Sequence, residues 1–321
     1  MRTRVRALPP LLAAVALTTA CVVAPARSPL SSGQPIPETP RPTPTPERGL
    51  VFAGAVPVAP DRELAAQCWG SGTPTILLEG GGTRSNISGW GIPFVMNLAA
   101  ANTVCLYSRA GGEGSTPPDG LLTYEMIISD AFTLLDWLRD EHGVSPPYVF
   151  VGWSFGGHVA LAEALDRPGE TAGIVILDND PPASADFMTV CTESGRTEAD
   201  CQAEFEGDLE AQQLGADIRA QITALPGVPA AIVSAMSWPD CRLEPGESSV
   251  SYNMNGEDLI APDCQQLANL IADTHAQGWV EILPQMTQTR VNASHDELIN
   301  QAGAEVAEVI RGVIARAGAS D

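Results

Sequence analysis

The stretch YVFVGWSFGGHVA, residues 148–160, decides the predicted fold, because strand-forming residues give way to a predicted helix at a serine between two glycines. The pattern G-x-S-x-G arises by chance in many sequences, but its diagnostic context is a strand directly before the serine and a helix directly after it. Gly152 and Gly156 leave room for the tight turn, and Gly157 allows close packing of the helix. We therefore interpret Ser154 as a candidate nucleophile, with a plain turn residue as the alternative.

Apolar, β-rich runs alternate with helical patterns through the rest of the chain. Several runs are apolar along almost their whole length, as strands covered on both faces are, which indicates a parallel sheet. The predicted strands span residues 74–80, 103–109, 147–153, 172–178, 229–235 and 289–293. The sequence therefore predicts an α/β fold with a mostly parallel sheet flanked by helices.

Helices are predicted at 122–143, directly after Ser154, and in the last segment of the chain. The last segment carries one apolar face, which predicts an amphipathic helix packed on the sheet. That face consists of Leu298, Ala302, Val306, Val309 and Val313. The acidic residues 182–226 interrupt the alternation, and we interpret them as an insertion.

The first twenty residues predict an export signal, because a basic start precedes an apolar core too short to span a bilayer as a permanent anchor. The core ends at LTTAC, which resembles the lipobox of bacterial lipoproteins, so Cys21 is the predicted lipidation site. Cleavage near Ala20 or Ala24, which would give a secreted protein, is the alternative. Residues 21–47 are dense in proline, serine and threonine, and they predict a disordered tether. The protein is thus predicted to be exported, either anchored outside the cell membrane or secreted.

The charge of the chain argues against several partners. The sequence holds 39 acidic and 17 basic residues, a formal net charge of −22, and removal of the three signal arginines makes it −25. Phosphate contacts need a basic patch, so the sequence disfavours a nucleic-acid partner and a membrane bound by charge. A membrane contact is predicted only through the lipid on Cys21.

Cysteine counting is consistent with export. If Cys21 of the seven cysteines is lipidated, six remain, an even number in a compartment where disulfides persist. The absence of CxxC pairs disfavours a zinc site. Connectivity is not determined by sequence, but pairing neighbours gives Cys191–Cys201 and Cys241–Cys264 and leaves Cys68 with Cys105.

A serine hydroxyl needs a base, and the sequence offers four histidines. His295, in NASHDEL, follows the last predicted strand and precedes the last helix, so we predict it as the base. The alternative is a histidine of a helix N-terminal loop. His142 ends a helix, His158 lies inside the helix after the serine, and His275 belongs to a polar helical stretch and is predicted to be solvated.

The acid that orients the base is predicted between the serine and the histidine in chain order. Asp240 lies just beyond the strand at 229–235 and is the favoured candidate. Asp178 and Asp180, in LDNDPP, follow the preceding strand and are the main alternative, although Asp178 can also be interpreted as a turn cap. The remaining candidates are Asp258, Asp263 and Asp296.

Acyl transfer also needs two N–H donors for the tetrahedral oxyanion. Phe155, directly after the nucleophile, is predicted to supply one. The glycine loop EGGGTRS after the strand at 74–80 is predicted to supply the other, at Gly81 or Gly82. A flexible turn is the alternative reading of that loop.

From about residue 64 to 318 the chain resembles the α/β-hydrolase superfamily, within it a branch of esterase-like hydrolases. The resemblance rests on CWGSGTPTILLEGGGTRS, TVCLYSRAGGEGS and the serine motif. It implies an α/β-hydrolase domain over 48–321 with a small cap at about 182–226, and no cofactor or metal. It also implies a triad of Ser154, Asp240 and His295, with an oxyanion hole of Gly81 and Phe155. Ser108 stands where the branch usually has aspartate.

The sequence thus predicts a serine hydrolase of small-molecule carboxylic esters. A proline or tripeptidyl aminopeptidase is the enzymatic alternative, but such relatives usually carry HGGPG and GGSYGG, whereas this chain has EGGGT and GWSFGG. An inactive envelope lipoprotein that only binds a ligand is the third hypothesis.

Overall fold

The computed structural model describes residues 49–82, 85–120, 122–182, 225, 227–238, 241–243, 248–254 and 257–319. Several predicted features lie outside these residues. They are the signal, Cys21, the tether at 21–47, Cys191, Cys201, Asp240 and nearly all of the insertion at 182–226.

Eight strands form the main sheet of the described part of the chain, and two more form a hairpin. The sheet contains β1 (Leu50–Ala59), β2 (Arg62–Gly70), β3 (Thr75–Glu79), β4 (Thr103–Tyr107), β5 (Tyr148–Trp153), β6 (Thr171–Leu177), β7 (Ala230–Ser237) and β10 (Met286–Ser294). The hairpin is β8 (Val250–Met254) with β9 (Glu257–Ala261). The helices are α1 (Ile92–Ala99), α2 (Tyr124–His142), α3 (Gly156–Asp166), α4 (Cys264–Ile282) and α5 (Leu298–Gly318), with a short 3₁₀ helix at Ile87–Trp90.

The strand order is β1-β2-β4-β3-β5-β6-β7-β10. The pairs β1–β2 and β2–β4 are antiparallel, and every later pair in the sheet is parallel. The carboxyl ends of β3, β5, β6, β7 and β10 therefore meet at one edge. In parallel α/β sheets this is the edge where ligands bind.

Helices cover both faces of the sheet. One hydrophobic cluster packs α2, α3 and α4 against one face, and a second cluster packs α1 and α5 against the other. The inner parallel strands β3, β5 and β6 are accordingly buried along most of their length, whereas the edge strand β10 is partly exposed. The predicted α/β architecture is confirmed, and so are the six predicted strands.

Local sequence signals explain where α2 begins and ends. The hydroxyl of Thr123 accepts a hydrogen bond from the Met126 N–H at 3.2 Å, which satisfies a free donor of the first turn. The helix ends at Gly143, whose φ of 68° is left-handed and therefore favours glycine.

Two predicted disulfides are confirmed. Cys68 and Cys105 face each other across the antiparallel pair β2–β4 and are bonded. Cys241 is bonded to Cys264, which joins the segment after β7 to the start of α4. Among the described residues, no helix combines the length and the apolar character needed to cross a bilayer.

Candidate active site

Ser154 occupies the turn between β5 and α3, as its motif predicts. Its φ of 53° lies in the left-handed region that residues other than glycine rarely adopt. The backbone N–H of Ser154 donates to the Leu177 carbonyl at 2.9 Å, and its own carbonyl accepts from the Gly157 N–H at 2.7 Å. The half-buried serine is therefore fixed in a strained turn, a conformation that clusters at functional sites.

The two motif glycines are required by close backbone contacts. A Cβ atom at Gly152 would lie 2.2 Å from the Gly156 carbonyl oxygen, and one at Gly156 would lie 2.1 Å from the Glu79 carbonyl oxygen. No side chain fits at either position without displacing the backbone. The spacing of the motif thus reflects the packing of β5 and α3 against the end of β3.

His295 follows the end of β10 and is hydrogen-bonded to Asp178, which follows the end of β6. The distance from Nδ1 of His295 to Oδ2 of Asp178 is 2.8 Å. The other carboxylate oxygen of Asp178 accepts from the Ala235 N–H at 2.8 Å, and its backbone N–H donates to the Val233 carbonyl at 2.7 Å. Asp178 is 9% exposed and has a positive φ of 47°, so β7 holds this carboxylate in one orientation.

The electrostatics of His295 follow from this contact. The hydrogen bond to Asp178 raises the pKa of the imidazole above its ordinary value of 6.5, and burial opposes the shift. The charges of Asp178, Asp296 and Asp180 act in the same direction as the hydrogen bond. The site therefore stabilises the protonated imidazole, which is the state a general base reaches after it accepts a proton.

The structure places most of the candidate acids. Asp178 contacts His295, and Asp296 directly follows His295 in the chain. Asp263 instead caps α4 by accepting from the Gln266 N–H at 2.8 Å, and Asp258 lies in β9. The favoured candidate Asp240 lies outside the described residues, so its role remains a prediction.

The sequence did contain a signal for Asp178. It is the last residue of the predicted parallel strand at 172–178, although a turn cap was an equally simple interpretation of the residue. What the sequence could not show is that the Ala235 N–H would fix one carboxylate oxygen and leave the other for His295.

The other three histidines occupy different surroundings. His142 packs against Phe52 and Trp137 at the end of α2, and Nε2 of His158 lies 3.1 Å from the Asp180 carbonyl oxygen. His275 is only 8% exposed, so the prediction that it is solvated was wrong. It lies on the inward face of α4 beside buried apolar residues, and burial lowers its pKa.

Both predicted oxyanion segments lie next to the nucleophile. A Cβ atom at Gly81 would stand 3.3 Å from the Cβ of Ser154, so the glycine loop runs alongside the serine. Phe155 directly follows Ser154 at the start of α3. The Trp153 ring lies 6.2 Å from the ring of His295, which puts an aromatic surface on the same edge. The described residues contain no cluster of three or more side chains suited to a metal ion.

Comparison with known proteins agrees with the observed fold. A family model described as the α/β-hydrolase fold matches residues 74–211. No curated protein matches the sequence significantly.

Several solved structures resemble the whole described fold. The thioesterase domain from the curacin biosynthetic pathway is 16% identical with a TM-score of 0.53, over 82% of this chain and 100% of that one. The bromoperoxidase from Bacillus anthracis is 15% identical with a TM-score of 0.51, over 82% and 99% of the two chains. The enol-lactonase from Burkholderia xenovorans LB400 is 16% identical with a TM-score of 0.50, over 82% and 100%.

The chain therefore has the α/β-hydrolase fold. The family model, over residues 74–211, and the solved structures both support this fold.

Proposed function

We propose that the protein is a serine hydrolase that cleaves carboxylic esters, with Ser154 as nucleophile, His295 as base and Asp178 as the acid. The observation that carries the proposal is the hydrogen bond between His295 and a buried, oriented carboxylate, at the sheet edge where Ser154 stands in a strained turn. Asp178 replaces the acid favoured by the sequence, because one carboxylate can orient the imidazole and Asp178 already does so.

The hydrogen bond assigns the two imidazole nitrogens. Nδ1–H of His295 donates to Asp178, so Nε2 carries the lone pair and can accept the proton of Ser154. The serine oxygen then bonds to the acyl carbon, and the carbonyl π-electrons move to its oxygen. The N–H groups of Phe155 and Gly81 are proposed to stabilise this oxyanion.

Two proton transfers complete the cycle. The imidazolium gives its proton to the leaving alcohol as the first tetrahedral intermediate collapses to the acyl-enzyme. Nε2 next takes a proton from water, whose oxygen attacks the acyl carbon. Collapse of the second intermediate returns the proton to Ser154 and releases the carboxylic acid.

Two observations favour ester hydrolysis over the alternatives. The loops EGGGT and GWSFGG lack the HGGPG and GGSYGG patterns of the aminopeptidase relatives. A protein that only binds a ligand gains nothing from a serine at a φ of 53° beside an oriented histidine, since such strain must be offset elsewhere in the fold.

A fluorophosphonate probe tests the proposal. We expect the mature domain to be labelled and Ser154→Ala to be unlabelled, with both proteins equally folded by circular dichroism. Hydrolysis of p-nitrophenyl esters of increasing acyl length would then separate an esterase from a lipase, and a dipeptide anilide would test the aminopeptidase alternative. Absence of labelling in the folded wild type would refute the proposal.

We also propose that the enzyme acts outside the cell membrane, anchored by a lipid on Cys21. The two disulfides support export, because such bonds persist in oxidising compartments. Labelled palmitate is expected in the wild type and absent from Cys21→Ala. A wild type that incorporates no palmitate and appears in the medium would favour simple secretion.

A further inference from the structure

A buried ion pair lies directly beside the glycine loop. Arg109, two residues after β4, is 2% exposed, and Glu79, the last residue of β3, is 0% exposed. Nη2 of Arg109 donates to Oε2 of Glu79 at 3.0 Å, and Nη1 donates to the carbonyl oxygen of Gly82 at 2.6 Å. One guanidinium group therefore ties the end of β3 to the loop that follows it.

The same guanidinium also contacts the second oxyanion segment. Its Cζ lies 5.3 Å from the centre of the Phe155 ring. Arg109 thus touches both segments that are proposed to supply oxyanion donors, the glycine loop and the residue after the nucleophile. Its planar, forked donors can make these contacts together, which the single ammonium group of lysine cannot do.

The charges around Arg109 are arranged to hold it in place. Oε2 of Glu79 also accepts from the Tyr107 hydroxyl at 2.9 Å, and both donors favour the ionised carboxylate although burial raises its pKa. Burial also raises the pKa of Glu163, on α3, well above its ordinary value. Glu79 is the buried carboxylate that contacts Arg109, and this contact orients the guanidinium.

We propose that Arg109, oriented by Glu79, is a positioning residue for oxyanion stabilisation, an inference that rests on the proposed function. Glycine has wide conformational freedom, and a glycine loop whose N–H turns away leaves the oxyanion without a donor. Because Arg109 binds both Glu79 and the Gly82 carbonyl, it restrains both ends of the short segment that contains the Gly81 N–H. The contact of its guanidinium with the Phe155 ring places the residue that carries the second donor, the Phe155 N–H, against the same side chain.

Arg109→Met, Arg109→Lys and the matched control Tyr107→Phe test the inference. Tyr107→Phe removes a hydrogen bond to the same Glu79 oxygen but leaves the link to Gly82. We expect Arg109→Met to lower kcat about 10- to 100-fold with KM little changed, because the donor acts in the transition state. Affinity for a trifluoromethyl ketone, which forms the oxyanion on Ser154, should fall by the same factor. Arg109→Lys should recover part of both losses.

The control separates positioning from stability. Tyr107→Phe is expected to lower Tm and to leave kcat within about threefold of the wild type. If it lowers kcat as much as Arg109→Met does at equal loss of Tm, or if Arg109→Met keeps wild-type kcat and ketone affinity, the inference is wrong. If Arg109→Met does not fold, Arg109→Lys carries the same comparison.

Hydrogen exchange tests the inference without turnover. Exchange at the Gly81 and Gly82 amides should be faster in Arg109→Met than in Tyr107→Phe, and equal rates in the two variants would contradict the inference. A wild type that fails to react with the fluorophosphonate probe would instead refute the proposed function, while the exchange comparison would still decide whether Arg109 anchors the loop.

Discussion

At the scale of single residues, the sequence is enough to predict the nucleophile and the base, whereas the proposed acid depends on contacts that only the structure shows. Ser154 and His295 could be predicted because each follows a recognisable strand and precedes a helix. Asp178 depends on a hydrogen bond between residues 117 positions apart in the chain, which no local pattern encodes. The role of Arg109 depends in the same way on contacts with three separate segments.

Replacing the acid tests the proposed triad. Asp178→Asn should lower kcat about 10³-fold or more, because the amide stabilises the wrong imidazole tautomer and no longer balances the imidazolium charge. Asparagine keeps an oxygen for the Ala235 N–H, so the fold should be preserved. Steady-state kinetics with a p-nitrophenyl ester measures the effect.

The matched variants are Asp180→Asn and Asp240→Asn. Both are expected to stay within about threefold of the wild-type kcat, since the base needs one oriented carboxylate. Loss of orders of magnitude in Asp240→Asn, with near-normal turnover in Asp178→Asn, would reverse the assignment.

The pH dependence of the enzyme should report the shifted pKa of His295. The base must be neutral to act, so kcat/KM should rise with pH through a pKa above 6.5, the ordinary value. Because this folded-state pKa is raised, the stabilisation it contributes is complete below the unfolded pKa and is lost as pH rises through the folded one. In Asp178→Asn, the residual kcat/KM should rise at a lower pH than it does in the wild type. A wild-type limb at or below 6.5 would contradict the assignment.

At the scale of elements, the sequence predicts best what is buried on both sides. The inner parallel strands β3, β5, β6 and β7 are apolar runs because helices cover both of their faces. β1, with the sequence LVFAGAVPVA, is also an apolar run, yet it is an edge strand exposed along most of its length, and the sequence analysis did not identify it. The burial of His275 was missed because one polar residue on the inward face of α4 looks like part of a solvated helix.

The two disulfides should differ in their response to reductant. Cys68 and Cys105 are 0% and 1% exposed, whereas Cys241 and Cys264 are both partly exposed. Mild reductant should therefore open Cys241–Cys264 in the folded protein, and Cys68–Cys105 should open only with unfolding. Alkylation followed by peptide mass analysis measures the order.

Loop-closure entropy sets the expected cost of losing each bond. The sequence separations are 37 for Cys68–Cys105 and 23 for Cys241–Cys264, which correspond to about 4 and about 3 kcal/mol. Urea unfolding of Cys68→Ala/Cys105→Ala and of Cys241→Ala/Cys264→Ala checks these values. Simultaneous reduction of both bonds in the native state would show that β2 and β4 open more readily than their burial implies.

At the scale of the whole molecule, one sheet edge collects groups that the chain keeps far apart. The parallel order brings the residues after β3, β5, β6 and β10 to the same side. The support of that edge is partly electrostatic, since Glu79, Arg109, Tyr107 and Glu163 form a buried cluster between the sheet and α3. A buried carboxyl that stays neutral stabilises the fold only while it keeps its proton.

Glu163 should therefore make the stability of the protein depend on pH. Its raised folded-state pKa means that the folded chain retains a proton that the unfolded chain releases above about 4.5. The resulting stabilisation is complete below the unfolded pKa and is lost progressively as pH rises towards the folded pKa. Glu163→Gln, which is nearly isosteric and does not titrate, should flatten the fall in Tm as pH rises above about 4.5 and should raise Tm at the alkaline end. Asp166→Asn, at the exposed end of α3, is the matched control and should keep the wild-type slope. If Glu163→Gln and the wild type lose Tm in parallel as pH rises, the pKa of this carboxyl is not raised on folding and the prediction is wrong.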